Sequence, residues 1–205
     1  LRRQGKRDRI ALTFFNAAAE PGKRLGEKAV TGLLQEMARR RIDTHLGHKP
    51  LSFSEKGVAT EGGQIDADLI LFMPGLTGPD WAPESGLKLS PGGFFQADAF
   101  CRADGVERVF VAGDAGSFPG PDWMPKQAHM ADLQAKAAAE NLSLALEGKP
   151  PAARFKIELI CIVDTIDKGI LVYRDLKRSW LLPSSRLFHW AKRYFEGHYL
   201  KEFRR

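Results

Sequence analysis

The stretch RVFVAGDAGSFPGPDWMPKQAHMADLQAKAAAENL, Arg108 to Leu142, holds the residues whose types and spacing have the clearest chemical use. The apolar run Val109 to Ala112 reads as a buried strand that ends in Gly113-Asp114, followed by a Pro/Gly loop and a small-residue helix. A strand ending this way sets a carboxylate at the C-terminal edge of a sheet, where ligands of α/β folds bind. Glycine lets the backbone come close to a ligand, and Asp114 can accept hydrogen bonds from sugar-like hydroxyls. A helix starting near Pro125 tolerates the missing N–H in its first turn and aims free amides at an electron-rich edge. The arrangement suits a flavin. Taken singly, Gly-Asp reads rather as a turn and Pro125 as no more than a helix start.

The elements around this stretch follow from periodicity and breakers. RIALTFFN, Arg9 to Asn16, is a short buried-type strand, and after a Pro-Gly break the apolar residues Ala29, Leu33, Leu34, Met37 and Ala38 recur at helical spacing. Strand then helix is a Rossmann-like half unit. SFS and VAT form a hairpin around Glu55 to Gly57, and Leu69 to Phe72 reads as a further buried strand ended by Pro74-Gly75. The connector TGPDWAPESGLKLSPGG is long enough to suggest a crossing between domains. Met130 to Leu146 is Ala-rich and helical and is stopped by GKPP. FKIELICIVD is then a strand, with ILVYRDLK as its partner across Asp-Lys-Gly.

The extended match of VFVAGDAG, a Pro/Gly loop, PKQA and an Ala-rich helix resembles the second FAD-binding signature of the two-dinucleotide-binding-domain flavoproteins. PKQAHMADLQAKAAAENL and ELICIVD resemble the sulfide:quinone oxidoreductase and flavocytochrome c sulfide dehydrogenase branch, with type II NADH:quinone oxidoreductases more distant. The resemblance covers the chain as a C-terminal half. It implies an α/β fold: the C-terminal portion of a Rossmann-like flavoprotein, with a C-terminal amphipathic helical tail. Residues 1–88 would belong to the second, NAD-like domain, 89–150 would close the FAD domain, and 151–205 would carry the redox cysteine and a membrane-associating tail. Gly113, Asp114 and Ala115 would face the ribityl and phosphate region of FAD. The amides of Pro125, Lys126, Gln127 and Ala128 would face the pyrimidine edge, with Lys126 stabilising negative charge on the reduced flavin. The family's first FAD signature, a strand followed by GxGxxG that grips the pyrophosphate, is absent from these residues.

A lone cysteine in an apolar strand is usually an inert core thiol. The resemblance gives Cys161 another role, because CIVD supplies the Cys-x-x-Asp stretch in which that branch places a cysteine beside the flavin. There it bridges to an upstream cysteine as a disulfide or polysulfide, sulfide attacks, and two electrons pass to FAD and then to quinone. The chemistry needs a thiolate, which a nearby cation favours by lowering a pKa that starts at about 8.5. Cys101, in FCRADG, matches no redox position and reads as structural. With no CxxC and no Cys/His cluster, neither a zinc site nor a disulfide framework is indicated, and no metal is expected. His45 and His48 read as loop residues without metal-ligand neighbours. His129 is either an ordinary surface or core residue or a group that moves protons near the flavin or a quinone. Trp123 reads as a packing anchor.

The 205 residues carry a net charge of +6, and Arg186 to Arg205 alone hold six Lys/Arg against two Glu. A nearly neutral body with a basic tail argues against a broad nucleic-acid face, so no nucleic-acid partner is expected. In the tail, Leu187, Trp190, Ala191, Tyr194 and Phe195 share one helical face opposite Arg193, Glu196 and Gly197. This pattern fits a helix lying in the headgroup region of a membrane, or one docked on its own domain or on a dimer partner. The quinone-reducing relatives implied by the resemblance favour the membrane surface, on a side the sequence does not give. A start at Leu1, in what reads as a basic helix already under way, points to missing upstream sequence. The expected activity is that of an FAD-dependent oxidoreductase with sulfide and quinone as substrates. An NAD(P)H-driven quinone reductase or a non-enzymatic membrane-binding or dimerisation module are the alternatives, and this stretch alone is expected to be inactive.

Overall fold

The computed structural model describes residues 4–164 and 168–202 and divides into two compact units, Leu1–Pro74 and Gly75–Arg205. In the first unit, β1 (Thr13–Asn16), α1 (Glu27–Arg39) and β2 (Asp43–Leu46) form a βαβ motif whose strands pair in parallel, Phe15 opposite His45. β1 and α1 are the strand-helix half unit expected from the sequence, and β2 is an addition to it. Ala29 and Val30 are the deepest residues of α1. Glu27 in its first turn and Arg39 in its last complement the helix dipole. Among the described residues of the basic opening, Arg7–Arg9 form one 3-10 turn and none is α-helical; Leu1 to Arg3 lie outside the described residues.

The strands β3 (Pro50–Ser54), β4 (Gly57–Thr60) and β5 (Gly63–Asp66) form an antiparallel sheet in that order. The expected SFS/VAT hairpin is its first half. Gly57, at φ +145°, could not carry a side chain, because a Cβ would stand 2.0 Å from the Ile65 carbonyl oxygen. The expected strand at Leu69 to Phe72 does not form. No described residue pairs with it, and Leu71 is 82% exposed. An apolar run becomes a strand only where a neighbour supplies the ladder. Phe72 alone is anchored, against Phe53 at 4.7 Å and Phe15 at 6.2 Å between ring centres. His45 also departs from its reading as a loop residue: it lies on β2 and its Nε2 contacts Thr60 Oγ1 at 2.7 Å.

In the second unit a small core of Ala82, Phe95, Ala97, Ala103 and Val111 sits beside the two-residue parallel pair β6 (Phe95–Gln96) and β7 (Gly116–Ser117). Val109 to Ala112 is extended but is not a strand; it makes one bridge, Phe110 to Arg102, before the chain turns at Gly113–Ala115. α2 (Ala128–Leu146) begins three residues beyond Pro125, so Pro125 is not in its first turn. The Lys126 ammonium donates to the carbonyls of Asp114 and Gly116, and Gln127 is held extended, so the helix starts only after both. Gly148, at φ +71°, follows its end.

Asn141 of α2 is fully buried and makes four hydrogen bonds, donating to the Phe100 and Ala153 carbonyls and accepting from the Ala152 and Ala153 amides. It ties the helix to two loops, one of which carries Cys101. Next come β8 (Glu158–Asp164), β9 (Gly169–Asp175) and β10 (Ser179–Leu181), an antiparallel sheet with β9 in the centre. This contains the expected hairpin, although Asp167 of its turn lies outside the described residues. α3 (Arg186–Glu202) packs on the sheet, His189 Nδ1 standing 3.2 Å from Asp164 Oδ1 and the Tyr199 hydroxyl 3.1 Å from Asp132 Oδ2 of α2. Phe203 to Arg205 of the basic tail lie outside the described residues. Among the described residues no helix is long and apolar enough to cross a membrane.

Candidate functional site

The Gly113–Ala115 turn, the Pro/Gly loop and the start of α2 enclose a cavity of about 120 Å³. Gly113 adopts φ +71°, and its amide donates to Oε1 of the buried Gln134 at 2.8 Å, which pins the turn to α2. Gly116 leaves room for an aromatic side chain: a Cβ there would lie 2.3 Å from the Phe118 ring, which would have to move. Lys126 folds back across the loop, 2.7 Å from the Asp114 carbonyl and 2.6 Å from that of Gly116, with its Nζ 3.9 Å from the centre of the Phe94 ring.

Of the residues singled out in the sequence, Gly113, Asp114, Pro125, Lys126 and Gln127 line this cavity, whereas Ala115 and Ala128 do not. Sequence reasoning missed Met130, Ala131 and Gln134. Their spacing from Gln127 at i+3, i+4 and i+7 is one helical face, a signal that was present in the sequence.

The first helical amide bonded back into its own chain is that of Ala131, to the Gln127 carbonyl at 2.9 Å, so the amides of Ala128, His129 and Met130 have no backbone partner among the described residues. Gln127 Oε1 is buried and unpartnered among the described residues. An orphaned acceptor in a wall that includes Gly113 and Gly116, with unbonded amides in the adjoining helix turn, could pair with a ligand edge of matching donors and acceptors. Its volume takes one edge of a flat ring rather than a whole dinucleotide.

Cys161 stands apart from this wall. It lies on β8 opposite Val172, half-buried; burial raises its thiol pKa and the Lys192 ammonium pulls it back down. Cys101 is entirely buried, and burial, with help from the Asp98 carboxylate, pushes its thiol up to about 11. Trp123 carries the Arg174 guanidinium 4.5 Å above its ring. No group of three His, Cys, Asp or Glu side chains able to hold a metal occurs among the described residues.

The pyridine nucleotide-disulphide oxidoreductase profile matches residues 9–135. The chain belongs to that family. A sulfide:quinone oxidoreductase from the hyperthermophilic bacterium Aquifex aeolicus superposes with a TM-score of 0.89 at 20% identity, over 100% of this chain and 52% of that one. A water-forming NADH oxidase from Lactobacillus brevis, bound to NADH, superposes at 0.59 and 16% identity over 80% of this chain and 37% of the other. An FAD-dependent pyridine nucleotide-disulphide oxidoreductase from Desulfovibrio vulgaris superposes at 0.50 and 18%, over 84% and 52%. No curated protein sequence matches the chain. The chain thus spans about half the length of the Aquifex protein, and it has the α/β fold of an oxidoreductase family whose members include FAD-dependent flavoproteins.

Proposed function

We propose that the protein is an FAD-dependent sulfide:quinone oxidoreductase and that this chain supplies the ring-edge wall, the donor-side cysteine and the membrane-facing helix. Residues 1–88, 89–150 and 151–205 would divide these roles as NAD-like domain, closing segment of the FAD domain and redox-tail region. The observation that carries the reading is the agreement with the Aquifex enzyme along the whole chain, the Cys161 hairpin and α3 included, where the NADH oxidase agrees over 80%.

The residues around the cavity fit a flavin edge. Gln127 Oε1 would accept a ring N–H, the amides at the start of α2 would donate to ring oxygen and nitrogen, and Lys126 would offset developing negative charge. Gly113 and Asp114 would lie along the ribityl chain. A bound flavin supplies reversible uptake of two electrons. Cys161 would act with a second cysteine contributed by the rest of the protein. Attack of hydrosulfide on their disulfide forms a persulfide on one cysteine and frees the other as a thiolate, with one S–S bond formed as one breaks. Transfer of the persulfide's outer sulfur to a second hydrosulfide would return that cysteine to a thiolate, and joining the two thiolates again as the disulfide would release the electron pair that the quinone finally takes. Burial holds the Cys161 thiol above its ordinary value, and the Lys192 cation offsets part of that rise toward the thiolate that this exchange needs.

Leu187, Trp190, Tyr194 and Phe195 of α3 are all exposed, while Phe188, His189, Lys192 and Tyr199 on the other side are partly covered. An open aromatic face on a basic helix supports peripheral attachment to a membrane, where quinone dissolves, more than docking on its own domain. Co-sedimentation with anionic vesicles, lost when Arg186 to Arg205 are removed, checks that attachment.

A second reading, an NADH-driven quinone reductase, draws on the likeness to the NADH oxidase. Quinone reduction by the full-length protein, with sulfide and NADH offered separately, decides between them. Turnover with sulfide supports the first reading, and turnover with NADH alone transfers the assignment to the second.

A further inference from the structure

We infer that His129 and Glu158 form a dyad that exchanges protons for the redox reaction, with His129 as the exchanging group and Glu158 as the residue that positions it; the inference rests on the proposed function. His129 occupies the first turn of α2, between Gln127 and Met130, both of which line the cavity. Its Nε2 lies 2.9 Å from Oε1 of Glu158, the first residue of the strand that carries Cys161. The dyad therefore joins the two elements that hold the proposed flavin edge and the proposed redox cysteine.

Glu158 is only 8% exposed, and a carboxylate is not buried without partners. Burial alone would raise its pKa, but Lys156 and His129 together hold it below the usual carboxylate range. Lys156 pairs with Glu158 Oε2, and that pairing raises its own pKa to about 12. Lys156 also donates to the Tyr173 hydroxyl at 3.2 Å, which donates to Asp175 at 2.8 Å. With one carboxylate oxygen committed to Lys156, the other is available to accept the His129 Nε2–H. That fixes the tautomer and leaves Nδ1, which has no partner among the described residues, as the free basic position. The His129 side chain is 38% exposed and so can refill from solvent. The charged and titratable groups facing the dyad are Lys156, Tyr173 and Asp175 on the hairpin side, and Asp132 on α2 with Tyr199 of α3 against it.

The reaction needs such a group. Oxidation of hydrosulfide to sulfane sulfur releases one proton and two electrons, and reduction of a quinone to quinol takes two electrons and two protons. Each turnover therefore draws one proton from solvent into the site. A positioned imidazole whose other nitrogen is held by a carboxylate is suited to deliver it.

Two measurements test this. In the full-length, flavin-loaded protein, His129→Gln should lower quinone reduction about 100-fold with flavin retained, and added imidazole should restore part of it; removing one proton-transfer group typically costs on the order of 10²-fold. Glu158→Gln should give about a tenfold loss and a displaced pH profile, since it disturbs only the orientation. Unchanged rates and pH profiles, or loss without imidazole rescue, would overturn the inference. If turnover runs with NADH but not sulfide, the donor reading fails while the same His129 comparison still decides the dyad. Independently of turnover, nitrogen NMR of the 205-residue chain should show neutral His129 protonated at Nε2, and a tautomer mixture in Glu158→Ala. Predominant Nδ1–H in the wild type would contradict it.

Discussion

The two cysteines are close in chemistry and opposite in setting. Cys101 sits at φ +64° in a turn built by Asp98, whose Oδ1 accepts from the Phe100 and Arg102 amides, both at 2.9 Å. It is sealed beneath Ala137 and Ala138 of α2 and has a carboxylate, not a cation, beside it. Cys161 sits on a regular strand at the edge of its sheet, half-buried, with an ammonium on the neighbouring helix. Burial raises both thiols; the nearby charge reinforces the shift at Cys101 and opposes it at Cys161. Burial is the larger influence on both, and the sign of the neighbour distinguishes them.

The contrast can be broken at Asn141, which holds the Phe100 carbonyl next to Cys101. Asn141→Ala strands several buried backbone groups and should cost about 3 kcal/mol of stability, seen as a lower denaturant midpoint. Iodoacetamide at pH 8 should modify Cys161 at least about tenfold faster than Cys101 in the wild type, because the thiolate is the nucleophile. In Asn141→Ala the Cys101 rate should rise about 100-fold through easier local opening, with Cys161 little changed. Equal acceleration of both would mean that the whole unit loosens together.

A smaller effect sharpens the same comparison. Lys192→Gln removes the cation that opposes burial at Cys161, so the thiol pKa should rise further and alkylation at pH 8 should slow by about two- to threefold. Cys101, whose charged neighbour is the Asp98 carboxylate, should not respond. A faster Cys161 in this variant would contradict the sign.

Much of this was legible in the sequence because it is local. The strand-helix order of β1 and α1, the Gly57 turn, the Cys161 strand and its partner, and the tail helix all follow from periodicity and breakers within short windows, whereas β2 does not. The apolar runs Leu69 to Phe72 and Val109 to Ala112 were misread because their fate depends on distant pairing partners, which composition does not reveal. The start of α2 was placed too early, since the tethering of Lys126 to two carbonyls is a tertiary event. At the site, Gly113, Asp114, Lys126 and Gln127 could be named from the motif, whereas Gln134, Asn141 and Glu158 are polar residues whose roles appear only once the elements holding their partners are brought together.

In the proposed function Cys161 performs redox chemistry while Cys101 only packs. The most direct measurement is sulfide-driven quinone reduction by the full-length protein, read together with bound flavin, in wild type and Cys161→Ser. Serine keeps the shape but cannot form a disulfide or persulfide. The account predicts that turnover is abolished while flavin absorbance is kept, with Cys101→Ser retaining activity at some cost in stability. Undiminished sulfide turnover in a folded, yellow Cys161→Ser protein would contradict it and leave Cys161 as a packing residue of β8.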